Sequence, residues 1–142
     1  MSGRGVGNLP FIDGTMDKWG YLNVLKENLG QSAEKLGLQG SYYFQHDNDP
    51  KHTADIIKLW ILYNIPKQLH TPPQSPDLNP IEHIWDLLEH RIQHHITSNE
   101  MLKEVLQLEW TKISREETRK LVQSMSKRLS EVLRRKEYPT SY

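Results

Sequence analysis

The chain of 142 residues contains no cysteine, so disulfide staples and thiolate metal sites are excluded. No stretch reaches the roughly eighteen apolar residues that a membrane-spanning helix needs. The opening residues, MSGRGVGNLP, lack the apolar run of a secretory signal. Internal repeats and low-complexity tracts are also missing. These absences lead to the expectation of a soluble intracellular protein. The length suits one domain with a real core.

Net charge is zero, yet it is unevenly placed. Residues 1–100 carry 8 Lys/Arg and 12 Asp/Glu, a balance of −4. Residues 101–142 carry 10 and 6, a balance of +4. A basic tail behind a more acidic body suits nucleic-acid contact. The candidate contacts are Arg115, Arg119, Lys120, Lys127, Arg128, Arg134, Arg135 and Lys136. The plainer reading of the same charges is a solvated helix face.

Several elements can be expected from pattern alone. Leu9 to Ile12 is a short apolar run ending at Asp13-Gly14, which suggests a strand and turn. Tyr21, Leu22, Leu25, Leu29, Ala33 and Leu36 recur at helical spacing, with Thr15 or Asp17 to cap and Gly37 to stop. Ser41 to Phe44 is aromatic and strand-like. Asp49-Pro50 is expected to open a second helix that ends near Asn64-Ile65-Pro66. Lys67 to His70 is a weaker strand candidate. Ile81, Ile84, Trp85, Leu88 and Ile92 then form one helical stripe, and two more helices follow it. The alternation of strand and helix predicts an α/β fold with parallel neighbours and C-terminal helices.

The stretch "FQHDNDPKHTA" moves from apolar to densely charged within a few residues. It reads as the end of a buried strand presenting Asp47. Glu82 lies in the first turn of the "NPIEHIW" helix, and 34 residues separate the two acids. That gap has room for one helix, one strand and a loop, a crossover that sets the second strand beside the first. Two carboxylates meeting at the C-terminal strand edge would invite a divalent cation, and oxygen-only ligands favour Mg²⁺ or Mn²⁺. Such ions support phosphoryl transfer. Each residue also has a structural reading. Asn79-Pro80-Ile81-Glu82 has the form of a capping box, and Asp47 that of a turn-closing residue. His90 and His94 stand four apart on one helix face, but no third ligand lies nearby, so solvent exposure is expected. His46 and His52 flank the strand end, where they could contact phosphate or satisfy local hydrogen bonds. Trp60, Trp85 and Trp110 are expected in the core.

Longer motifs add a resemblance. "FQHDNDPKHTA" followed by "TPPQSPDLNPIEHIWDLLEHRI" resembles the catalytic core of the Tc/mariner superfamily of DNA transposases. "FIDGTMDKWGYLNVLKENLGQSAEKLGL" is similar to the segment before it in the Tc branch, and "YPTSY" to that branch's C-terminus. The likeness runs from about Gly5 onward. It implies a ribonuclease-H-like fold, incomplete here, with about three strands. It also implies a single partial catalytic domain, its α/β core in residues 1–98 and helices in 99–142. In that family three carboxylates hold two Mg²⁺ ions that cut and rejoin DNA.

By motif position Asp47 matches the second acid and Glu82 the third, which makes them the implied catalytic residues and metal ligands. His46, Asn48, Lys51 and His52 border the implied site, as candidates to orient water or contact nucleic acid beside Arg134, Arg135 and Lys136. The first acid, its strand and the DNA-binding region have no counterpart in this sequence. Two metals about 4 Å apart need a bridging carboxylate, so the resemblance implies weak or absent Mg²⁺ binding and an inactive isolated chain. Asp13 and Asp17 are expected to lie too far away to substitute, about 10 Å at the usual strand spacing. The strand around Tyr42–Phe44 is expected to have an unpaired edge that favours self-association. DNA is the implied partner and the nucleus the implied location. The alternative is a transposon-derived DNA-binding or protein-interaction module without catalysis.

Overall fold

A computed structural model describes residues 1–72, 75–92 and 96–137, excepting the side chains of residues 136 and 137. His94, the YPTSY ending and the Lys136 side chain, all singled out above, lie outside the described set. The elements run in the order α1 (Lys18–Lys35), β1 (Tyr43–Phe44), α2 (Asp55–Asn64), β2 (Lys67–Gln68), a 3₁₀ turn (Pro76–Leu78), α3 (Pro80–Ile92), α4 (Asn99–Lys112) and α5 (Arg115–Glu137). No described helix is long and apolar enough to cross a membrane.

The helix α1 begins where the Asp17 side chain accepts from the Gly20 N–H at 2.8 Å. It ends before Gly37, whose φ of 66° is the left-handed geometry of a helix stop. Tyr21, Leu22 and Leu25 of α1 bury against Ile57 and Ile61 of α2, with Phe44, Trp60 and Ile65 at the margin. The strands β1 and β2 pair in parallel, Tyr43 opposite Lys67 and Phe44 opposite Gln68. Leu69 N–H continues the ladder to the Phe44 carbonyl at 2.8 Å. Helix α2 is the crossover between them. It ends at Asn64 because Ile65 precedes a proline and turns extended.

A second cluster joins Val6, Ile84 and Leu88 to Trp110 and Ile113. It therefore crosses from the N-terminal segment through α3 to the end of α4. Ile84 and Leu88 are the inward face of the predicted α3 stripe. Trp85, expected in the core, is instead 39% exposed and covers buried Trp110, ring centroids 5.5 Å apart. The turn into α5 is a reciprocal cap. Ser114 Oγ accepts from Glu117 N–H at 3.1 Å, and the Glu117 carboxylate accepts from Ser114 N–H at 2.7 Å.

Two further expectations need correction. Among the described residues the fold has two paired strands rather than three, because Leu9 to Ile12 forms no strand. Among the described residues no neighbouring strand offers this segment a ladder, and the residues just before it are held by side chains of α1 and α4 instead. Asn8 N–H donates to Ser32 Oγ at 2.9 Å, and the Gly7 carbonyl accepts from Trp110 Nε1 at 2.8 Å. The approach to α1 is close enough that a Cβ on Gly7 would sit 2.5 Å from the Ser32 side chain. The second correction concerns Asp49-Pro50, which opens a turn and not α2. Asp49 Oδ1 does accept from Lys51 N–H at 3.0 Å. The Thr53 hydroxyl, however, donates to the Asp49 and Pro50 carbonyls, competing for the acceptors that a continuing helix would use. Helix α2 starts only at Asp55.

The Trp110 indole bond to Gly7 is buried and joins residues 103 positions apart. Trp110→Phe keeps most of the ring and leaves that carbonyl unpaired. It should lower stability by about 1–3 kcal/mol in urea unfolding. An unchanged midpoint would mean that the strap is not held by this bond.

Candidate metal centre

Parallel pairing sends the chain out of β1 and β2 at the same edge. Residues 45–49 leave β1 there, and residues 69–72 leave β2. Two side-chain bonds hold the exits and the following segment together. Gln45 Nε2 donates to the Leu78 carbonyl at 3.0 Å, and Asn48 Nδ2 to the Thr71 carbonyl at 3.1 Å. Between these segments lies a cavity of about 380 Å³ lined by Asp47, Asn48, Asp49, Thr71, Pro72, Ser75, Pro76, Asn79 and Glu82. The two acids, distant in sequence, share its wall.

Asp47 is both exposed and positioned. Its side chain is 60% exposed, while its partner His52 is only 16% exposed. His52 Nδ1 bonds to Asp47 Oδ1, which also accepts from Asp49 N–H at 3.3 Å. Oδ2 carries no such bond among the described residues. His52 in turn packs on the Tyr21 ring, centroids 3.9 Å apart, and stacks on His46 at 5.5 Å. Asp49 is occupied by its own turn. Lys51 donates to it from both the backbone N–H and Nζ, each at 3.0 Å, and the Nζ bond leads the effects that hold this carboxyl below its usual range.

Glu82 is exposed at the first turn of α3. Its N–H bonds to the Asn79 carbonyl at 3.2 Å. Its carboxylate has no hydrogen bond or ion pair among the described residues, so the expected reciprocal cap is not formed. The side chain borders the cavity instead.

His46 is not a cavity-lining residue. Tyr21 Oη lies 2.8 Å from its Nδ1, and Gln68 Nε2 lies 3.0 Å from its Nε2. The Gln68 amide nitrogen can only donate, so His46 Nε2 accepts and Nδ1–H faces the Tyr21 oxygen. Burial first, then the neighbouring His52, lowers the His46 pKa from 6.5 to about 4, against an opposing pull from Asp47. Burial also pushes the Tyr21 hydroxyl upward, helped by the Asp47 charge. His46 is therefore a neutral brace behind Asp47, and of its two sequence readings the described bonds match local hydrogen bonding. Asn48 does face the cavity, whereas Lys51 and His52 are engaged with Asp49 and Asp47.

The remaining candidates are scattered. Asp13 pairs with Lys103 at 3.0 Å and Asp17 caps α1, so neither reaches the cavity. Arg134 is exposed on α5, and Arg135 pairs with Glu131 at 2.8 Å one turn back. Residues that the sequence reading missed are Tyr21, Gln45 and Gln68. Tyr21 had one available signal: a hydroxyl on an otherwise aliphatic helix stripe requires a polar partner.

The donor set suits a hard divalent cation in kind, being carboxylate and amide oxygen. It is short in number. Among the described residues no group of three or more His, Cys, Asp or Glu could hold a metal ion. Asp47 and Glu82 are the two carboxylates with oxygen to spare.

No family model matches the chain. The Tcb1 transposase of Caenorhabditis briggsae is 39% identical over 142 residues, covering 99% of this chain and 52% of that protein. The Tc1 transposase of Caenorhabditis elegans is 36% identical over 138 residues, covering 96% and 50%. The chain thus spans about half the length of the curated relatives it matches. Among solved structures, the catalytic domain of Mos1 mariner transposase superposes with a TM-score of 0.71 at 23% identity, covering 81% of this chain and 59% of that one. A structure of the Mos1 domain with raltegravir and Mn gives 0.70 at 22% identity, covering 81% and 60%. The fold is accordingly the ribonuclease-H-like α/β class of that domain.

The state of His46 sets a pH dependence. Above pH 6.5 it is neutral whether folded or unfolded. Between pH 6.5 and about 4 the unfolded chain takes up a proton that the folded chain refuses, so stability falls as the pH falls through that window. Urea midpoints measured down to pH 4 should fall less steeply in His46→Gln than in the parent. Parallel profiles would show that this imidazole is not held neutral.

Proposed function

Since the chain is homologous over nearly its whole length to transposases of the Tc1 and mariner type, we propose that it forms part of the catalytic core of a DNA transposase. Its substrate in this reading is DNA, and its location is the nucleus, where chromosomal DNA lies. The reaction is metal-dependent cleavage and strand transfer. The observation that carries the proposal is the shared cavity wall of Asp47 and Glu82 at the C-terminal edge of two parallel strands.

These two carboxylates would hold Mg²⁺ or Mn²⁺. When bound, such an ion activates water and stabilises the leaving oxygen of a phosphodiester. The residues of the chain supply the rest. His52 fixes one oxygen of Asp47 and leaves the other toward solvent. Gln45 and Asn48 hold the strand exit against the segments that carry Thr71 and Leu78. Two of the three carboxylates lining the cavity are available, because Lys51 occupies Asp49, so the proposal includes weak binding of one ion and no DNA cleavage by this chain alone.

The exposed cations of α5 support a second reading, a DNA-binding module without catalysis. Arg119, Lys120, Lys127 and Arg134 are all exposed on that helix. The free edge of β1, which pairs only with β2 among the described residues, is proposed as a self-association edge. Sedimentation as a monomer at every concentration would remove that element.

Titration with Mn²⁺, followed by loss of its free electron-spin signal, should show weak binding that Asp47→Ala or Glu82→Ala each reduces by about tenfold or more. Binding equal in both variants would exclude the cavity as the metal site. Supercoiled DNA should remain uncut in Mg²⁺ or Mn²⁺. Cleavage abolished by Asp47→Ala would show that two carboxylates suffice.

Retention on DNA should fall with salt, and Arg134→Glu with Arg135→Glu should make the log–log slope shallower by about one for each phosphate that the helix no longer neutralises. Retention unaffected by the double reversal would place the binding surface elsewhere.

A further inference from the structure

The turn that carries Glu82 is held from two sides. On one side Gln45 bonds to the Leu78 carbonyl. On the other, α5 lies against both the Pro76–Leu78 turn and α3. Arg91 of α3 pairs with Glu117 at the start of α5, and further along one half-buried α5 side chain makes polar contact with both the turn and α3. Arg128 Nη1 donates to His83 Nε2 at 2.6 Å and to the Asp77 carbonyl at 3.2 Å. A guanidinium has no acceptor, so His83 Nε2 accepts this hydrogen bond. One planar group thus bridges the residue before Leu78 and the residue after Glu82.

We propose that Arg128 is a positioning residue that sets where the first turn of α3 presents Glu82, thereby coupling the basic C-terminal helix to the acidic cavity. It rests on the transposase-core reading for the use of that cavity. The sequence pattern put Arg128 among the nucleic-acid contacts of α5, whereas the structure turns it inward. Its neighbours on the helix are spent differently: Lys120 pairs with Glu116 and Arg135 with Glu131, both within α5. Arg128 is the α5 cation that reaches the cavity-bearing segment among the described residues.

The consequence is specific. Displacement of α5 would pull on Asp77 and His83 together, moving Glu82 relative to Asp47 while leaving the Asp47–His52–Tyr21 group in place. That group belongs to the other cluster, built on α1 and α2. A retained positive charge would not reproduce this. Both bonds leave Nη1, whose two N–H groups are fixed in the guanidinium plane, whereas the N–H groups of a lysine ammonium turn freely on a flexible stem and fix neither acceptor in direction.

The test uses the full chain in three variants, Arg128→Ala, Arg128→Lys and His83→Ala, with Glu116→Ala as the control on the same helix. Amide hydrogen exchange at residues 82–84 is compared with exchange at Ile57 in the remote cluster. All three variants should accelerate exchange at 82–84 by about tenfold without changing Ile57, and Glu116→Ala should change neither. Combining Arg128→Ala with His83→Ala should add little to either alone, as expected for two ends of one bond. Mn²⁺ broadening of amide signals should reach both Asp47 and Glu82 in the parent. In Arg128→Ala and Arg128→Lys it should persist at Asp47 and weaken at Glu82.

Unchanged exchange at 82–84 in both Arg128→Ala and His83→Ala would overturn the proposal. So would parent-like behaviour of Arg128→Lys, because charge alone would then suffice. If the parent broadens at neither acid, the metal reading of the cavity fails while the exchange comparison still decides the role of Arg128.

Discussion

The hydrogen bond from the Gln45 amide to the Leu78 carbonyl spans 33 positions of sequence and ties the end of β1 to the entry of α3. Most of the site geometry depends on it. Two strands of two residues each cannot align a cavity by their ladder alone. Their parallel pairing fixes only the edge at which both exits lie. Residues 69–72 and 75–79 lie across that edge, and the Gln45 and Asn48 amides determine where. Asp47 stands between those two anchors, so its position follows from theirs. Glu82 is four residues beyond Leu78, and the 3₁₀ turn and the Asn79 carbonyl carry the constraint forward to it.

Two hydrophobic clusters divide the labour. The one built from α1 and α2 backs the strands and supplies the platform of Tyr21, His46 and His52. The one built from Val6, α3 and the end of α4 sets the axis of α3. The N-terminal segment links them, because Gly7 accepts from Trp110 while its neighbour Asn8 bonds to Ser32 of α1. Each acid therefore belongs to a different packing unit. Asp47 moves with the first and Glu82 with the second, which makes the distance between them sensitive to how the units meet. Arg91 on Glu117 and Arg128 on His83 fasten α5 to α3, and so add α5 to the second unit.

What could be read in the sequence was what local chemistry decides. The α1 cap at Asp17, its stop at Gly37, the inward stripe of α3 and the end of α2 before Pro66 each follow from a residue's own backbone or side-chain preference. Leu9 to Ile12 was not readable in this way, because a strand needs a neighbour and that neighbour is a tertiary fact. The two S/N-x-x-E patterns make the same point from opposite directions. Asn79 to Glu82 has the spelling of a reciprocal cap, and its carboxylate faces the cavity instead. Ser114 to Glu117 has the same spelling, passed without notice in the sequence, and forms the full cap. Spelling alone does not separate them, because the outcome turns on what else is near the carboxylate. At Glu117 the Ser114 N–H bond leads the effects that hold the carboxyl below its usual range, and the Arg91 guanidinium adds to it close to the helix entry. Glu82 has no such cation beside it among the described residues.

The same local-against-tertiary contrast bears on Asp47, for which turn closure and metal ligation looked like rival roles. In the proposed reading they would fall on different oxygens. Oδ1 accepts from the Asp49 N–H two residues on, the signature of a local turn, and also from His52. Oδ2 has neither partner. A carboxylate that closes its own loop with one oxygen has already given up rotation about its side chain, so a ligand on the other oxygen meets a fixed atom. The aromatic-to-charged switch in "FQHDNDPKHTA" then has a physical reason. Phe44 and His46 are half-buried beside Tyr21, where they hold the loop, and the acidic end is exposed. In the proposed metal reading the local turn is what presets Asp47 as a ligand, and the half-buried His46 and His52 behind it support that turn.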